Sequence, residues 1–202
     1  MNIANRITVL RIILTFVFIF LLTWSPTWEK LVFLEGFWLK LSAFLVFLMA
    51  ALTDFFDGRI AKKKGIVSDF GKFMDPVADK ILVLAAFATF VHMRLIAVWM
   101  FVIIIARDLV ITSLRLFALN KGKVLSASRS GKHKTAFQIF SVFWILGFIL
   151  LKEAMLRFFT WDPAWEKFFH RGIYVLMWIV VGLTLYSGIS YIWENRKVIT
   201  KI

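Results

Sequence analysis

The sequence contains no cysteine, and its three histidines are scattered along the chain. Without cysteine the protein has no disulfide, no thiolate metal site and no thiol nucleophile. The separation of His92, His133 and His170 argues against a metal site built from histidines. Any metal bound here is therefore expected to have oxygen ligands.

Acidic residues are also few, since 12 Asp and Glu stand against 25 Lys and Arg, giving a formal net charge of +13. Apolar residues make up 61% of the 202, well above the roughly 45–50% of a soluble domain. The core of so short a chain cannot hide that much apolar surface, so part of it must face lipid. This excludes a soluble enzyme, a secreted disulfide scaffold and a disordered chain. The basic excess favours anionic lipid and phosphate-bearing substrates over nucleic acid.

Six apolar stretches are long enough to cross about 30 Å of hydrocarbon at about 1.5 Å per helical residue. They are Ile7–Trp24, Leu41–Ile60, Phe73–Met93, Leu95–Leu119, Thr135–Leu151 and Ile173–Trp193. The shorter stretch Glu29–Lys40 and the aromatic stretch Phe158–His170 are predicted to lie at the membrane interface. No internal repeat, low-complexity segment or soluble appendage is visible. We predict one all-α membrane domain over residues 1–202, with six transmembrane helices and an interfacial segment near the N-terminus.

Basic residues predict the orientation in the membrane. Lys and Arg concentrate in the loops after the second and fourth spans and in the C-terminal tail. With six crossings, these segments lie on the same side as the N-terminus, whereas the opposite connections carry mixed charge. Because positively charged loops stay in the cytoplasm, both termini of this multi-pass protein are predicted to lie on the cytoplasmic side of the cell (inner) membrane.

Aspartates are concentrated where the second span ends and the third begins. Asp54 and Asp57 are three residues apart, and Asp75 and Asp79 are four apart, so each pair shares one helix face. A short basic turn joins the two spans. The two faces can therefore converge into a group of four carboxylates at the cytoplasmic boundary, where a polar cavity would form the active site.

Four carboxylates near a membrane carry a high cost. One Asp at the bilayer centre costs roughly 2.5–3.5 kcal/mol, and like charges close together also raise each other's pKa. Divalent cations remove both costs, and an all-oxygen set favours Mg²⁺ or Mn²⁺ over Zn²⁺. Four carboxylates suit two ions, which is an arrangement used for phosphoryl transfer. The alternative is simple pairing with nearby Lys and Arg, which fits Asp69 well.

Residues 54–79 follow the pattern D-x2-D-G-x2-A-K-x8-G-x3-D-x3-D. This pattern resembles the signature of the CDP-alcohol phosphatidyltransferase family, D-x2-D-G-x2-A-R-x8-G-x3-D-x3-D. Every spacing agrees and seven of the eight fixed residues match. The departure is Lys62 in place of arginine, which keeps the charge but loses the planar two-pronged donor.

The resemblance implies a membrane enzyme that transfers a phosphatidyl group from CDP-diacylglycerol to an alcohol and releases CMP. It also implies that two Mg²⁺ ions are bound by Asp54, Asp57 and Asp75. Asp79 would bind the second ion and act as the general base. Tight dimers are common in the family, so a homodimer is expected.

The same resemblance implies a set of residues for the CDP portion. Those in the aspartate-rich region are Gly58, Lys62 and Ser68. At the N-terminus, Asn5, Thr8 and Arg11 resemble the family's N-x2-T-x2-R element, which lies against the nucleotide. From the sequence alone, Asn5 could equally be a helix cap.

A second group of charges suggests where the acceptor binds. Arg107 and Arg115 are eight residues apart in the fourth span, within about 80° of each other on a helix. The hydroxyl-rich basic stretch that follows contains Lys132 and Lys134 at a predicted helix start, a suitable site for an anion. These four residues are predicted to bind a phosphorylated acceptor; ordinary loop charge is the alternative for the lysines.

Residues 107–135 resemble the branch of the family whose acceptor is glycerol 3-phosphate. A relative that uses inositol phosphate is the closest alternative. Two distant alternatives also have Asp-rich sites: an intramembrane prenyltransferase and a divalent-cation transporter. The first resembles two separate aspartate clusters rather than one, and the second usually has a site at mid-membrane.

Overall fold

A computed structural model describes residues 3–24, 32–64, 69–121, 129–158 and 162–199 of the chain. For some helical residues, among them 3–8, 54–64, 69–79 and 132–133, this description is limited to the backbone. Within the described ranges the chain forms helices and no strand. The helices are α1 (Ile3–Thr23), α2 (Val32–Lys64), α3 (Asp69–His92), α4 (Val98–Asn120), α5 (Arg129–Phe158) and α6 (Pro163–Ile199).

The all-helical membrane class predicted from the sequence is confirmed. In the part of the chain that is described, three helices are long and apolar enough to cross a membrane, over Gly36–Thr53, Lys134–Leu156 and Ala164–Arg196. Shorter apolar stretches lie in α1 and α3, over Val9–Thr23 and Lys80–His92. Helix α4 has three charged side chains within its apolar sequence. The helices packed around α4 must therefore supply partners for these charges as well as bury its apolar surface.

The structure differs from the sequence prediction at the stretch Glu29–Lys40. Its residues 32–40 are the first turns of α2, and the apolar window that could cross a membrane already begins at Gly36. No proline interrupts this region, so nothing breaks the helix before the predicted span. Lys40 Nζ donates a hydrogen bond of 2.5 Å to the carbonyl of Leu22 near the end of α1. The first half of α2 is thereby tied to α1.

The main core is one cluster of buried apolar residues drawn from all six helices. Helix α1 packs on α2 and α3, and α2 packs on α5. Aromatic rings fill this contact: the centroids of Phe18 and Phe47 are 5.4 Å apart, and those of Phe47 and Phe143 are 5.2 Å apart. Such tilted and edge-on pairs add to the stabilisation from buried apolar area. The packing holds α2 and α3, which carry the aspartate motif, against the rest of the bundle.

Large apolar side chains also cover the outside of the bundle. Phe16, Trp144, Trp178 and Ile189 are exposed, together with many other aliphatic and aromatic residues. A soluble protein rarely exposes apolar patches on this scale. The outer surface is therefore suited to lipid, as the composition predicts.

Candidate active site

A buried carboxylate joins α4 to α5 in the interior of the bundle. Asp108 is 5% exposed and Lys134 is 3% exposed. Lys134 Nζ donates a hydrogen bond to Asp108 Oδ1. Arg107 Nη1 donates to the same oxygen at 3.2 Å. Two cations therefore share one carboxylate in a desolvated setting, where charge pairing is strong.

Lys80 links α3 to the same part of α4. Its Nζ donates to the carbonyl oxygen of Asp108 at 3.3 Å and to the hydroxyl of Thr112. The Thr112 hydroxyl donates to the Asp108 carbonyl at 2.7 Å. Lys80 directly follows Asp79 in the sequence. The start of α3, which carries half of the aspartate motif, is thus attached to the helix that carries Asp108.

Helix α6 holds Arg107 from the other side. Arg107 Nη2 donates a hydrogen bond of 2.6 Å to the hydroxyl of Ser187. At the next residue, Gly188, an added Cβ would lie 3.1 Å from Cγ of Arg107. Glycine at this position lets the Arg107 side chain lie directly against the α6 backbone. The Arg107 side chain is therefore positioned by its hydrogen bonds to Asp108 and Ser187 and by the space beside Gly188.

Further buried polar groups lie on the same faces of α5 and α6. Lys134 and Gln138 are four residues apart on α5, and Thr184 and Ser187 are three apart on α6. The amide nitrogen of Gln138, the Thr184 hydroxyl and Nε of Arg107 have no hydrogen-bond partner among the residues that the structure describes. Buried polar atoms are costly unless they are paired. These atoms offer hydrogen-bonding capacity for a polar ligand or for water.

The structure brings together two of the four residues predicted to bind the acceptor, Arg107 and Lys134. Arg115 lies elsewhere: it is exposed, and its guanidinium carbon is 5.9 Å from the centroid of the Tyr191 ring. Eight residues place Arg115 about 12 Å farther along α4 than Arg107. The side chain of Lys132 lies outside the described residues.

Asp108, Lys80 and Ser187 are not among the site residues predicted from the sequence. Asp108 could have been found from the sequence, because it is a carboxylate beside an arginine within an apolar span. Charged side chains in such a span need partners and are often functional. Lys80 and Ser187 carry no comparable signal. They join the cluster only because α3 and α6 pack beside α4.

The predicted metal ligands lie on α2 and α3. Asp54 and Asp57 belong to α2, and Asp75 and Asp79 to α3, and these two helices contact each other. The helical spacing of three and four residues puts the members of each pair on one face. Their side chains lie outside the described residues. An all-carboxylate donor set on two packed helices fits Mg²⁺ or Mn²⁺ by its chemistry.

Four of the five residues predicted to bind the CDP portion lie on α1 and α2. Gly58 and Lys62 lie in α2, and Asn5 and Thr8 in α1, with their side chains outside the described residues; Ser68 is outside altogether. Arg11 of the same N-terminal element is described and buried. It lines a cavity of about 30 Å³ together with residues of α2, α3 and α5. The N-terminal element is thus packed against the helices of the aspartate motif.

Apolar helices that enclose a cationic cluster define a helical membrane protein with a site suited to an anionic group. Comparison with known proteins gives the family. The model of the CDP-alcohol phosphatidyltransferase family matches residues 1–186. The chain belongs to this family of membrane enzymes, which excludes the prenyltransferase and transporter alternatives.

Three relatives cover nearly the whole chain. A Bacillus subtilis (strain 168) protein named CDP-diacylglycerol–glycerol-3-phosphate 3-phosphatidyltransferase is 35% identical over 201 residues, covering 97% of both chains. An Escherichia coli K12 protein of the same name is 33% identical, covering 96% of this chain and 95% of its own. A Mycobacterium tuberculosis (H37Rv) protein named probable phosphatidylglycerophosphate synthase is 30% identical, covering 95% and 80%.

Proposed function

We propose that the protein transfers the phosphatidyl group of CDP-diacylglycerol to sn-glycerol 3-phosphate, giving phosphatidylglycerophosphate and CMP in phospholipid biosynthesis. The observation that carries this proposal is the near-complete similarity to the B. subtilis and E. coli proteins, whose names state this reaction. The aspartate motif over residues 54–79 lies within the range matched by the family.

In this proposal Asp54, Asp57, Asp75 and Asp79 hold two Mg²⁺ ions, with Mn²⁺ as the alternative metal. When bound, the ions neutralise the pyrophosphate and stabilise the departing CMP. Support comes from the carboxylate donor set and from the contact between the helices that carry the four residues. The carboxylates would otherwise repel one another at the membrane boundary.

Asp79 is proposed as the general base. It takes the proton from the acceptor hydroxyl, the hydroxyl oxygen forms a bond to the β-phosphorus, and the bond to CMP breaks in the same step. A covalent enzyme intermediate is not part of the proposal, because the sequence has no cysteine and no Ser–His pattern that suggests a nucleophile. Asn5, Thr8, Gly58, Lys62 and Ser68 are proposed to hold the CDP portion, following the family resemblance.

The acceptor phosphate is proposed to bind at Arg107 and Lys134, with Lys132 as a further predicted contributor. Arg107 and Lys134 share the single carboxylate of Asp108, which leaves one positive charge in excess between them. An excess cation in a buried site favours an anion as its partner. Arg107 can also donate two parallel hydrogen bonds to the oxygens of a phosphate group. A serine or choline acceptor has no phosphate group.

We further propose six crossings, with both termini on the cytoplasmic side of the inner membrane and the active-site cavity open to the cytoplasm. The support is the basic charge of the loops after the second and fourth spans. The donor's acyl chains would then remain in the bilayer while glycerol 3-phosphate enters from the cytosol. A homodimer completes the proposal, following the family resemblance alone.

An acceptor screen tests the proposal. Purified protein in detergent receives CDP-diacylglycerol and Mg²⁺ with glycerol 3-phosphate, inositol 1-phosphate or serine, and CMP release is measured. We expect CMP to appear with glycerol 3-phosphate and to stay near background with the other two. Preference for inositol 1-phosphate would keep the family reaction but change the acceptor, and preference for serine would contradict the phosphate site.

A further inference from the structure

A groove lies at the end of the bundle opposite the Arg107–Lys134 cluster. It is formed by the connection between α3 and α4 and by the first turns of α6, and this open groove has a volume of about 700 Å³. Arg94 follows Lys80 by 14 residues, or about 20 Å along a helix at about 1.5 Å per residue. Along α6, Ser187 follows Arg171 by 16 residues, or about 24 Å. The groove is therefore separate from the proposed active site.

The groove combines cationic and apolar surfaces. Arg94, His170 and Arg171 supply its basic groups, while Ile96, Val98 and Val175 belong to its apolar wall. None of the described residues that line it is acidic. The nearby carboxylate of Glu166 lies 3.9 Å from Nε2 of His170 and is already bonded to Lys152 at 2.5 Å. The charge of the groove is thus complementary to an anion that also has apolar parts.

Arg94 has an unusual backbone conformation, with φ of 58°. It ends α3 in a Schellman turn, in which the amide of Leu95 donates to the carbonyl of Phe90 and the amide of Arg94 donates to that of Val91, both at 2.9 Å. Glycine is the usual residue at this position because a Cβ is disfavoured there. The chain thus places a long cationic side chain at the groove where glycine would fit the backbone better.

Aromatic side chains place the groove at headgroup level. Tyr174 lines the groove, and its ring centroid is 6.2 Å from that of Trp178, which in turn is 5.1 Å from Trp99. Trp99 and Trp178 are exposed on the outside of the bundle. Tyr and Trp are concentrated at the boundary between hydrocarbon and headgroups. An apolar wall with cations at that level matches a phospholipid rather than a soluble anion.

We propose that this groove binds an anionic phospholipid from the leaflet opposite the active site. Arg94 and Arg171 contact the phosphate of the headgroup, His170 lies beside it, and one acyl chain follows the apolar wall toward Val175. The proposal does not depend on the acceptor used in the reaction. It assigns the α3–α4 connection and the start of α6 a role in lipid binding.

Native mass spectrometry of the full-length protein in neutral detergent tests this site. Phosphatidylglycerol and phosphatidylcholine are added separately, and retained lipid is counted. The wild type should retain more phosphatidylglycerol than phosphatidylcholine. In the double variant Arg94→Gly, Arg171→Gln the affinity for phosphatidylglycerol should fall about tenfold, so that the preference is lost. The double variant Lys121→Gln, Arg196→Gln removes the same charge elsewhere and should bind as the wild type does.

Three further measurements make the test decisive. Arg94→Gly relieves the positive φ, so this variant should unfold no earlier than the wild type, and CMP release should be unchanged in both double variants. Inorganic phosphate at millimolar concentration should not displace the lipid. Equal retention of both lipids by the wild type, equal loss in both double variants, or displacement by phosphate would each overturn the proposal.

Discussion

Lys134 of α5 and Asp108 of α4 form a buried ion pair, and Arg107 bonds to the same carboxylate oxygen. The pair connects the helix that follows the basic loop to the helix that carries Arg107. Its burial makes it sensitive to the loss of either member, because the remaining charge would lie in the bundle without its partner.

Replacing Asp108 with Asn should destabilise the protein by about 3 kcal/mol, since Arg107 and Lys134 would then face each other without the carboxylate between them. Adding Lys134→Gln to this variant should restore part of the loss while activity remains low. Asp108→Glu, which keeps the charge, is the control. Thermal unfolding in detergent and CMP release measure the two effects. Equal stability of Asp108→Asn and the wild type would contradict the importance of the pair.

Gly188→Ala tests the positioning of Arg107. The new Cβ would lie 3.1 Å from Cγ of Arg107, which forces the arginine to shift by a few tenths of an ångström. We expect the KM for glycerol 3-phosphate to rise several-fold, with the KM for CDP-diacylglycerol nearly unchanged.

Gly182→Ala is the matched control for that substitution, because it lies in the same helix and its Cβ would meet nothing within 4 Å. It should leave both KM values unchanged and stabilise α6 by up to about 1 kcal/mol. If the two alanine variants behave alike, Gly188 has no special role beside Arg107.

Asp79→Asn tests the general base. The amide cannot accept the proton of the acceptor hydroxyl, so turnover should fall by at least about a hundredfold. The variant should still fold and bind CDP-diacylglycerol, as measured by thermal unfolding and lipid binding. Turnover close to that of the wild type would show that another group removes the proton.

Lys132→Ala tests the basic stretch at the start of α5. We predict a larger rise in the KM for glycerol 3-phosphate than in that for CDP-diacylglycerol, because the lost charge would have faced the acceptor phosphate. Steady-state kinetics with each substrate varied in turn provides the comparison. An equal rise in both values would place Lys132 outside the acceptor site.

The helices could be predicted from the sequence because their apolar runs are long and separated by basic turns. The extents of α2 and α6 could not. The predicted spans were given the length needed to cross the hydrocarbon layer. These two helices are longer than that, and they run without a break over Val32–Lys64 and Pro163–Ile199. Where a helix ends outside the hydrocarbon depends on capping and helix-breaking residues. The pattern of apolar residues does not show these ends.

The charged cluster was predictable only in part. The charges of Arg107 and Lys134 stand out in the sequence, but the contact between them comes from the packing of α4 beside α5. Arg115 shows the limit of spacing arguments. A separation of about 80° around the axis puts it near the side of Arg107. It nevertheless lies about 12 Å farther along the helix, and its side chain is exposed. Ser187 lies in an apolar run and becomes recognisable only through its bond to Arg107.

The most direct test of the proposed reaction follows labelled glycerol 3-phosphate into lipid. Purified protein is given CDP-diacylglycerol, Mg²⁺ and the labelled acceptor, and both chloroform-soluble label and CMP are measured, with a chelator added in a parallel sample. We predict equimolar phosphatidylglycerophosphate and CMP, and neither product when the metal is removed. Release of CMP without label in the lipid, or full activity in the chelator, would contradict phosphatidyl transfer at the aspartate motif.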